Sequence, residues 1–186
     1  MMLTLIACST EKNGSFYNDY ILSYLNYRYT EEFEIIDSVL KYEKGIGDFV
    51  EADCKSDKYP ETFKAYAYIG KETTFSDTYG NIILNHQYAA LVKRTMTYDD
   101  TVHIYALLNF GDYELTGDDV NKGIDAIIDE RNIDFESTLY IIYENRYYNK
   151  KDEVSSIIEN RIMGYPIKQQ KIFLCYLKDG SNILDF

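Results

Sequence analysis

Apolar residues along this chain fall into short continuous runs and into helical repeats, and the two kinds of segment alternate. Leu3 to Cys8, "LTLIAC", is a short apolar run of the kind found in a strand covered on both faces. Ser15 is placed to cap a helix, and Phe16, Tyr17, Tyr20, Ile21, Tyr24 and Leu25 recur at helical spacing through to about Tyr29. Phe33 to Ile36 reads as a second strand, giving an opening of strand, loop, helix and strand. From Asp37 to Pro60 the pattern is irregular, with Gly45, Gly47 and scattered charge, and predicts mostly loop with room for a short helix.

Phe63 to Ile69, "FKAYAYI", alternates and predicts a strand ending at Gly70. The following stretch has two readings. In the preferred one, residues 71–80 are a loop and 82–94 a helix; in the other, Thr78-Tyr79-Gly80-Asn81 turns a hairpin and Ile82 onward is a strand. Val102 to Phe110, "VHIYALLNF", is a further strand ending at Gly111. Thr116 caps a helix with Asp119 as its capping-box partner, and Val120, Ile124, Ile127 and Ile128 share one face. Leu139 to Tyr143 is a strand. Asn149 can cap a helix carrying Val154, Ile157, Ile158 and Ile162, stopped by Gly164 and Pro166, and Ile172 to Leu177 closes as a strand.

Strands alternating with helices predict an α/β fold, a mostly parallel sheet with helices on both faces in a three-layer sandwich. The alternative is α+β with an antiparallel hairpin at about 63–94. At 186 residues the chain fits one α/β domain spanning 1–186, large enough to bury a core without disulfides or a structural metal.

The composition, 46% hydrophobic and 27% charged, is that of a folded globular protein. A formal net charge of −12 sets up a field that repels nucleic-acid phosphates and anionic lipid, although a local basic pocket is compatible with it. The same charge is compatible with imitating DNA to occupy a DNA-binding protein. Cys8, Cys54 and Cys175 form neither a CxxC nor a Cys/His ligand pattern, so no zinc site or disulfide framework is expected, and a reducing cytoplasm is the expected compartment. Cys8 and Cys175 lie in apolar runs that favour buried, inert thiols. Twenty tyrosines and no tryptophan give the chain many stackable rings with polar tips, and the bias fits AT-rich coding of the phage or viral kind. No run reaches the ~20 apolar residues needed to cross a membrane. Leu5-Ile6-Ala7-Cys8 matches a lipoprotein cleavage consensus, but the residues before it lack a positive charge and a full apolar core.

In an open α/β sheet ligands sit beyond the carboxyl ends of the strands. The first such loop, "CSTEKNGS", offers the hydroxyls of Ser9, Thr10 and Ser15, the cation of Lys12 and flexible backbone at Asn13-Gly14, just before a helix start whose N–H groups suit a phosphate monoester. It also serves as a routine strand-to-helix turn. This opening resembles the flavodoxin-like fold and, within it, the NAD(P)H-dependent FMN reductase family. The resemblance implies that Ser9, Thr10, Ser15 and the amides of Asn13 and Gly14 hold an FMN phosphate. A second segment, "TFSDTYGNIILNHQYAALVKRT", resembles the family's aromatic-Gly-Asn loop and implies that Tyr79, Gly80 and Asn81 border the flavin.

Asp112, Glu114, Asp118 and Asp119 gather after Phe110 and could hold Mg²⁺, but Asp118 and Asp119 are better explained as acids favouring a helix start. With two histidines, a metal site built on several of them is excluded. His103, in an apolar strand, is expected to be a hydrogen-bonded core residue, while His86 beside Asn85 is the better candidate for chemistry. Arg146, Lys150 and Lys151 with neighbouring tyrosines, "ENRYYNKK", could receive a base and a phosphate.

Three functional classes follow: an FMN-binding oxidoreductase, an acidic non-enzymatic phage or viral protein that binds and inhibits a host protein, and a nucleotide-binding hydrolase or glycosyl-transferring enzyme. The partners implied are a phosphate-bearing small molecule or cofactor, or a host protein; a homodimer is compatible with each.

Overall fold

The computed structural model describes residues 14–95, 102–113, 115–130, 135–143 and 169–176. The chain forms two compact units, Met1–Tyr79 and Gly80–Phe186. In the first, a 3-10 turn (Gly14–Tyr17) leads into helix α1 (Asn18–Tyr29). Four strands follow, β1 (Phe33–Glu43), β2 (Gly47–Ser56), β3 (Phe63–Tyr68) and β4 (Thr74–Asp77). They form a meander in the order β1-β2-β3-β4, every neighbouring pair antiparallel.

The β1–β2 turn needs the left-handed backbone that glycine adopts freely, and Gly45 and Gly47 sit there at φ 100° and 98°. Along β2 the side chains alternate: Val50, Ala52, Cys54 and Ser56 are buried, while Glu51, Asp53 and Lys55 face the other way. Ala65 and Ala67 stand opposite Ala52 and Val50 on β3. These small side chains leave room for α1, which packs on β1 and β3 and buries Ile21 and Leu25 completely. Gly14 lies against β1 so closely that a Cβ there would stand 3.1 Å from the Ser38 carbonyl oxygen.

Helix α2 (Tyr79–Thr95) starts on the last residue of the first unit. The second unit continues with β5 (His103–Asn109), α3 (Gly117–Lys122), α4 (Ile124–Glu130), β6 (Glu136–Tyr143) and β7 (Gln169–Tyr176). Its sheet has the order β5-β6-β7, with β5 and β6 antiparallel and β6 and β7 parallel. Ala106, Leu108, Leu139 and Ile141 supply the buried face, and Leu84, Tyr88 and Val92 of α2 are completely buried. Two side chains of α2 cap other elements: Asn85 Oδ1 accepts the Leu108 N–H at 2.9 Å, and Gln87 Oε1 accepts the Ile124 N–H at 2.9 Å.

The architecture is therefore α+β and not a mostly parallel, flavodoxin-like sandwich. The first sheet is wholly antiparallel and the second is mixed. The reason lies in two strands that the apolar pattern hides. Residues 37–60 hold the rest of β1 and all of β2, whose buried face carries Val50 and then only the small Ala52, Cys54 and Ser56; Thr74–Asp77 is only four residues long. With both restored, strands follow strands through hairpins. The hairpin after Gly70 closes on Thr74–Asp77, not on Ile82 onward, which is helical.

The helix expected from Thr116 to Ile128 is divided. Gly123, at φ 83°, ends α3, and a Cβ there would meet Gln87 Oε1 at 3.1 Å. The expected strand at 3–8 and the helix from Asn149 with its stop at Gly164 and Pro166 lie outside the described residues. Among the described residues, no helix is long and apolar enough to cross a membrane.

Candidate functional site

Of the residues expected to hold a phosphate, Ser9, Thr10, Lys12 and Asn13 lie outside the described residues. Gly14 is buried against the β1 backbone and Ser15 is exposed. Helix α1 begins after Tyr17, with no side-chain cap bond at that position. Tyr79 and Gly80 are buried, and Asn81 is half-buried. In the acidic cluster, Asp119 accepts from Thr116 N–H and Oγ1 at 2.8 and 2.6 Å, and Thr116 Oγ1 in turn accepts the Asp119 N–H, completing the expected capping box. Asp112 and Asp118 are exposed, and Glu114 lies outside the described residues. So do Arg146, Lys150 and Lys151. Among the described residues no group of three or more His, Cys, Asp or Glu is placed to hold a metal ion.

The first unit concentrates its polar chemistry in a closed network. The Asp77 side chain is completely buried and accepts the Tyr29 hydroxyl at 2.7 Å, the Tyr24 hydroxyl at 2.8 Å and the Tyr79 N–H at 2.9 Å. Arg28 approaches the same carboxylate at 3.7 Å and donates to the Tyr24 oxygen at 2.6 Å. Beside it, the Tyr79 hydroxyl donates to Glu31 and lies 2.9 Å from Ser56 Oγ. Rings of Tyr29, Phe33 and Phe63 surround Tyr79 at 4.7 to 5.0 Å between centroids.

Burial first, and the Asp77 charge second, push the Tyr24 and Tyr29 hydroxyls well above the ordinary tyrosine range. Burial and the bond to Glu31 do the same for Tyr79. Burial likewise pushes the Cys54 thiol up to about 12, which keeps it protonated and inert. With each hydroxyl engaged and the carboxylate buried, this network joins α1 to β4.

The second unit carries an open groove. Its α2 wall is His86, Ala89, Ala90 and Lys93, which recur at i, i+3, i+4 and i+7 and so form one stripe. Its β5 wall is Val102 to Tyr105. The volume of this open groove is about 290 Å³, at the lower edge of small-molecule sites. Ala89 and Ala90 keep the middle shallow. His86 and Lys93, seven residues apart, mark ends about 10 Å from each other along the helix.

β5 brings His103 and Tyr105 to the groove, and both are exposed. His103 is thus a surface residue and not the core histidine that its apolar neighbours suggest; Val102 and Ala106, facing the other way, take the buried positions. Both histidines of the chain, a lysine and a tyrosine line this groove, and among the described residues no carboxylate lines the walls. Lys93 and Tyr105 escape notice in the sequence, although His86 and Lys93 share a helix stripe, and His103 and Tyr105 share a strand face, by simple periodicity.

No protein-family model matches the chain, and no curated protein matches it.

Proposed function

We propose that the second unit binds a small phosphate-bearing molecule in the groove between α2 and β5. One observation carries this reading: in a chain of net charge −12, the two histidines, Lys93 and the Tyr105 hydroxyl line one groove, and no carboxylate is among the described residues of its walls. Imidazoles, an ammonium and a phenol all offer hydrogen-bond donors to phosphate oxygens. The negative field of the chain opposes a long polyanion, whose many charges each meet it, and tolerates a small one held by near neighbours. FMN and nucleotides both belong to this ligand class. The Ser9–Ser15 loop, where the family resemblance would place an FMN phosphate, lies outside the described residues except for Gly14 and Ser15.

The histidine count makes the test direct. Two imidazoles give two side-chain correlation signals in an NMR spectrum, each assigned with one His→Gln variant. Titration with inorganic phosphate and with FMN is expected to move both signals along one saturating curve. Replacing Lys93 with Met is expected to weaken that curve roughly tenfold, the loss of one charge-assisted hydrogen bond. Signals that stay still to the end of the titration, or that saturate identically in the Lys93→Met protein, overturn the reading.

A further inference from the structure

Tyr105 belongs to two features at once. It lines the groove, and it begins a row of rings on the open face of the second sheet. In the strand register Tyr105 stands opposite Tyr140, and Tyr140 opposite Phe173. The three are 47%, 36% and 47% exposed, and Leu107, two residues along β5 on the same face, is 55% exposed. Tyr140 and Phe173 stack with centroids 5.2 Å apart and planes 13° from parallel. Strands lie about 4.8 Å apart, so the row runs about 10 Å inward from the groove. The opposite face holds Ala106, Leu139 and Ile141 in the core, whereas Tyr105, Leu107, Tyr140 and Phe173 stay exposed on this one.

We infer that the groove's ligand carries a planar ring next to its phosphate, that of a nucleoside monophosphate or a flavin, and that Tyr105 and Tyr140 receive the ring while His86, Lys93 and His103 hold the phosphate. The inference rests on the groove reading and adds the class of ligand. Aromatic side chains accept any base through its face, so the site selects for a ring and not for one base. The spacing suits a single nucleotide: Lys93 and His103 lie where α2 meets β5, and Tyr140 lies one strand spacing inward of Tyr105. Lys171 and Thr138, the register neighbours of Leu107, place one further cation beside the row. Glu136 opposite Asn109 marks the end at which a second phosphate would be repelled.

The experiment compares AMP, ribose 5-phosphate and inorganic phosphate on the full chain by calorimetry. AMP is expected to bind at least tenfold more tightly than ribose 5-phosphate, the gain typical of stacking one base on aromatic side chains. Tyr140→Leu is expected to bring AMP down to the affinity of ribose 5-phosphate and to leave ribose 5-phosphate unchanged; Tyr140→Phe is expected to keep the AMP gain. If none of the three ligands binds, the groove reading falls and takes this one with it. If all three bind alike, or Tyr140→Leu preserves the AMP gain, the groove reading stands and the ring site is refuted.

Discussion

Replacing Asp77 with Ala tests whether the closed network of the first unit holds α1 to the sheet. The substitution removes the acceptor for two tyrosine hydroxyls and one backbone N–H, and it takes away a carboxylate 3.7 Å from Arg28. A hydrogen bond to a charged group contributes about 1.5 to 3 kcal/mol, and breaking one side of a buried charge pair costs about 3 to 5 kcal/mol. The Tyr24 and Tyr29 hydroxyls can turn toward other acceptors, and the Tyr79 N–H cannot. The expected loss is therefore about 3 to 5 kcal/mol and not the sum of all bonds. Asp77→Asn keeps one acceptor for Tyr29 and the Tyr79 N–H and can donate to the Tyr24 oxygen, so about 1 to 2 kcal/mol is expected. Urea denaturation followed by near-ultraviolet circular dichroism measures both, since twenty tyrosines give a strong signal without tryptophan. An Asp77→Ala protein within about 1 kcal/mol of the parent, or one less affected than Asp77→Asn, would refute the reasoning.

The same hydroxyls predict the alkaline limit. Tyr24, Tyr29 and Tyr79 have folded pKa values raised above the unfolded value of about 10, so their contribution is complete below pH 10 and is lost as pH climbs past it. Phenolate absorbance for these groups should rise together with loss of structure, and smooth ionisation in the folded state would contradict this. At Asp119 burial opposes ionisation, but bonds from Thr116 and Tyr113 outweigh it and lower the pKa, so the capping contribution is present above the usual carboxylate range and is lost as pH falls through the folded value. Asp119→Ala should cost about 1 kcal/mol at neutral pH and nothing at strongly acid pH, as urea midpoints would report. Gly123→Ala combines a positive φ with a 3.1 Å approach to Gln87 and should cost at least ~1 kcal/mol. Cys54, buried and with its thiol pushed up to about 12, should react with a thiol reagent only after denaturation, whereas the half-buried Cys175 should react sooner.

Element positions were legible wherever large apolar residues made the pattern. The alternation of Phe63 to Ile69, the helical repeat of 82–94 and the runs around Val102, Leu139 and Ile172 each correspond to an observed element. What failed was pairing. An antiparallel strand with one face on a helix can use Ala, Cys and Ser where space is tight, and β2 does so at Ala52, Cys54 and Ser56; its other face reads as charge. Glu51 and Asp53 lie there, bound to Lys41 and Lys64 at 2.6 to 3.0 Å. A strand built of small residues and ion pairs looks like a loop to any reading that counts large hydrophobes. Once β2 is overlooked, helices and strands appear to alternate, and a parallel sheet is the natural but mistaken consequence.

The groove was hidden for a different reason. Each half is legible by periodicity alone: His86 and Lys93 from the helix, His103 and Tyr105 from the strand. Their meeting depends on which edge of β5 faces α2. Asn85 decides this. The Leu108 N–H that it accepts points away from β6, so α2 lies along the free edge of β5, and the residue after Asn85 comes to the groove as His86. No pattern of hydrophobicity encodes a single side-chain amide reaching a strand edge. The charge balance then acquires a local meaning. Lys93 and the imidazoles act on a ligand at contact distance, where screening by salt is weakest. An acidic chain can therefore present a site attractive to one phosphate while remaining repulsive to a polymer of them.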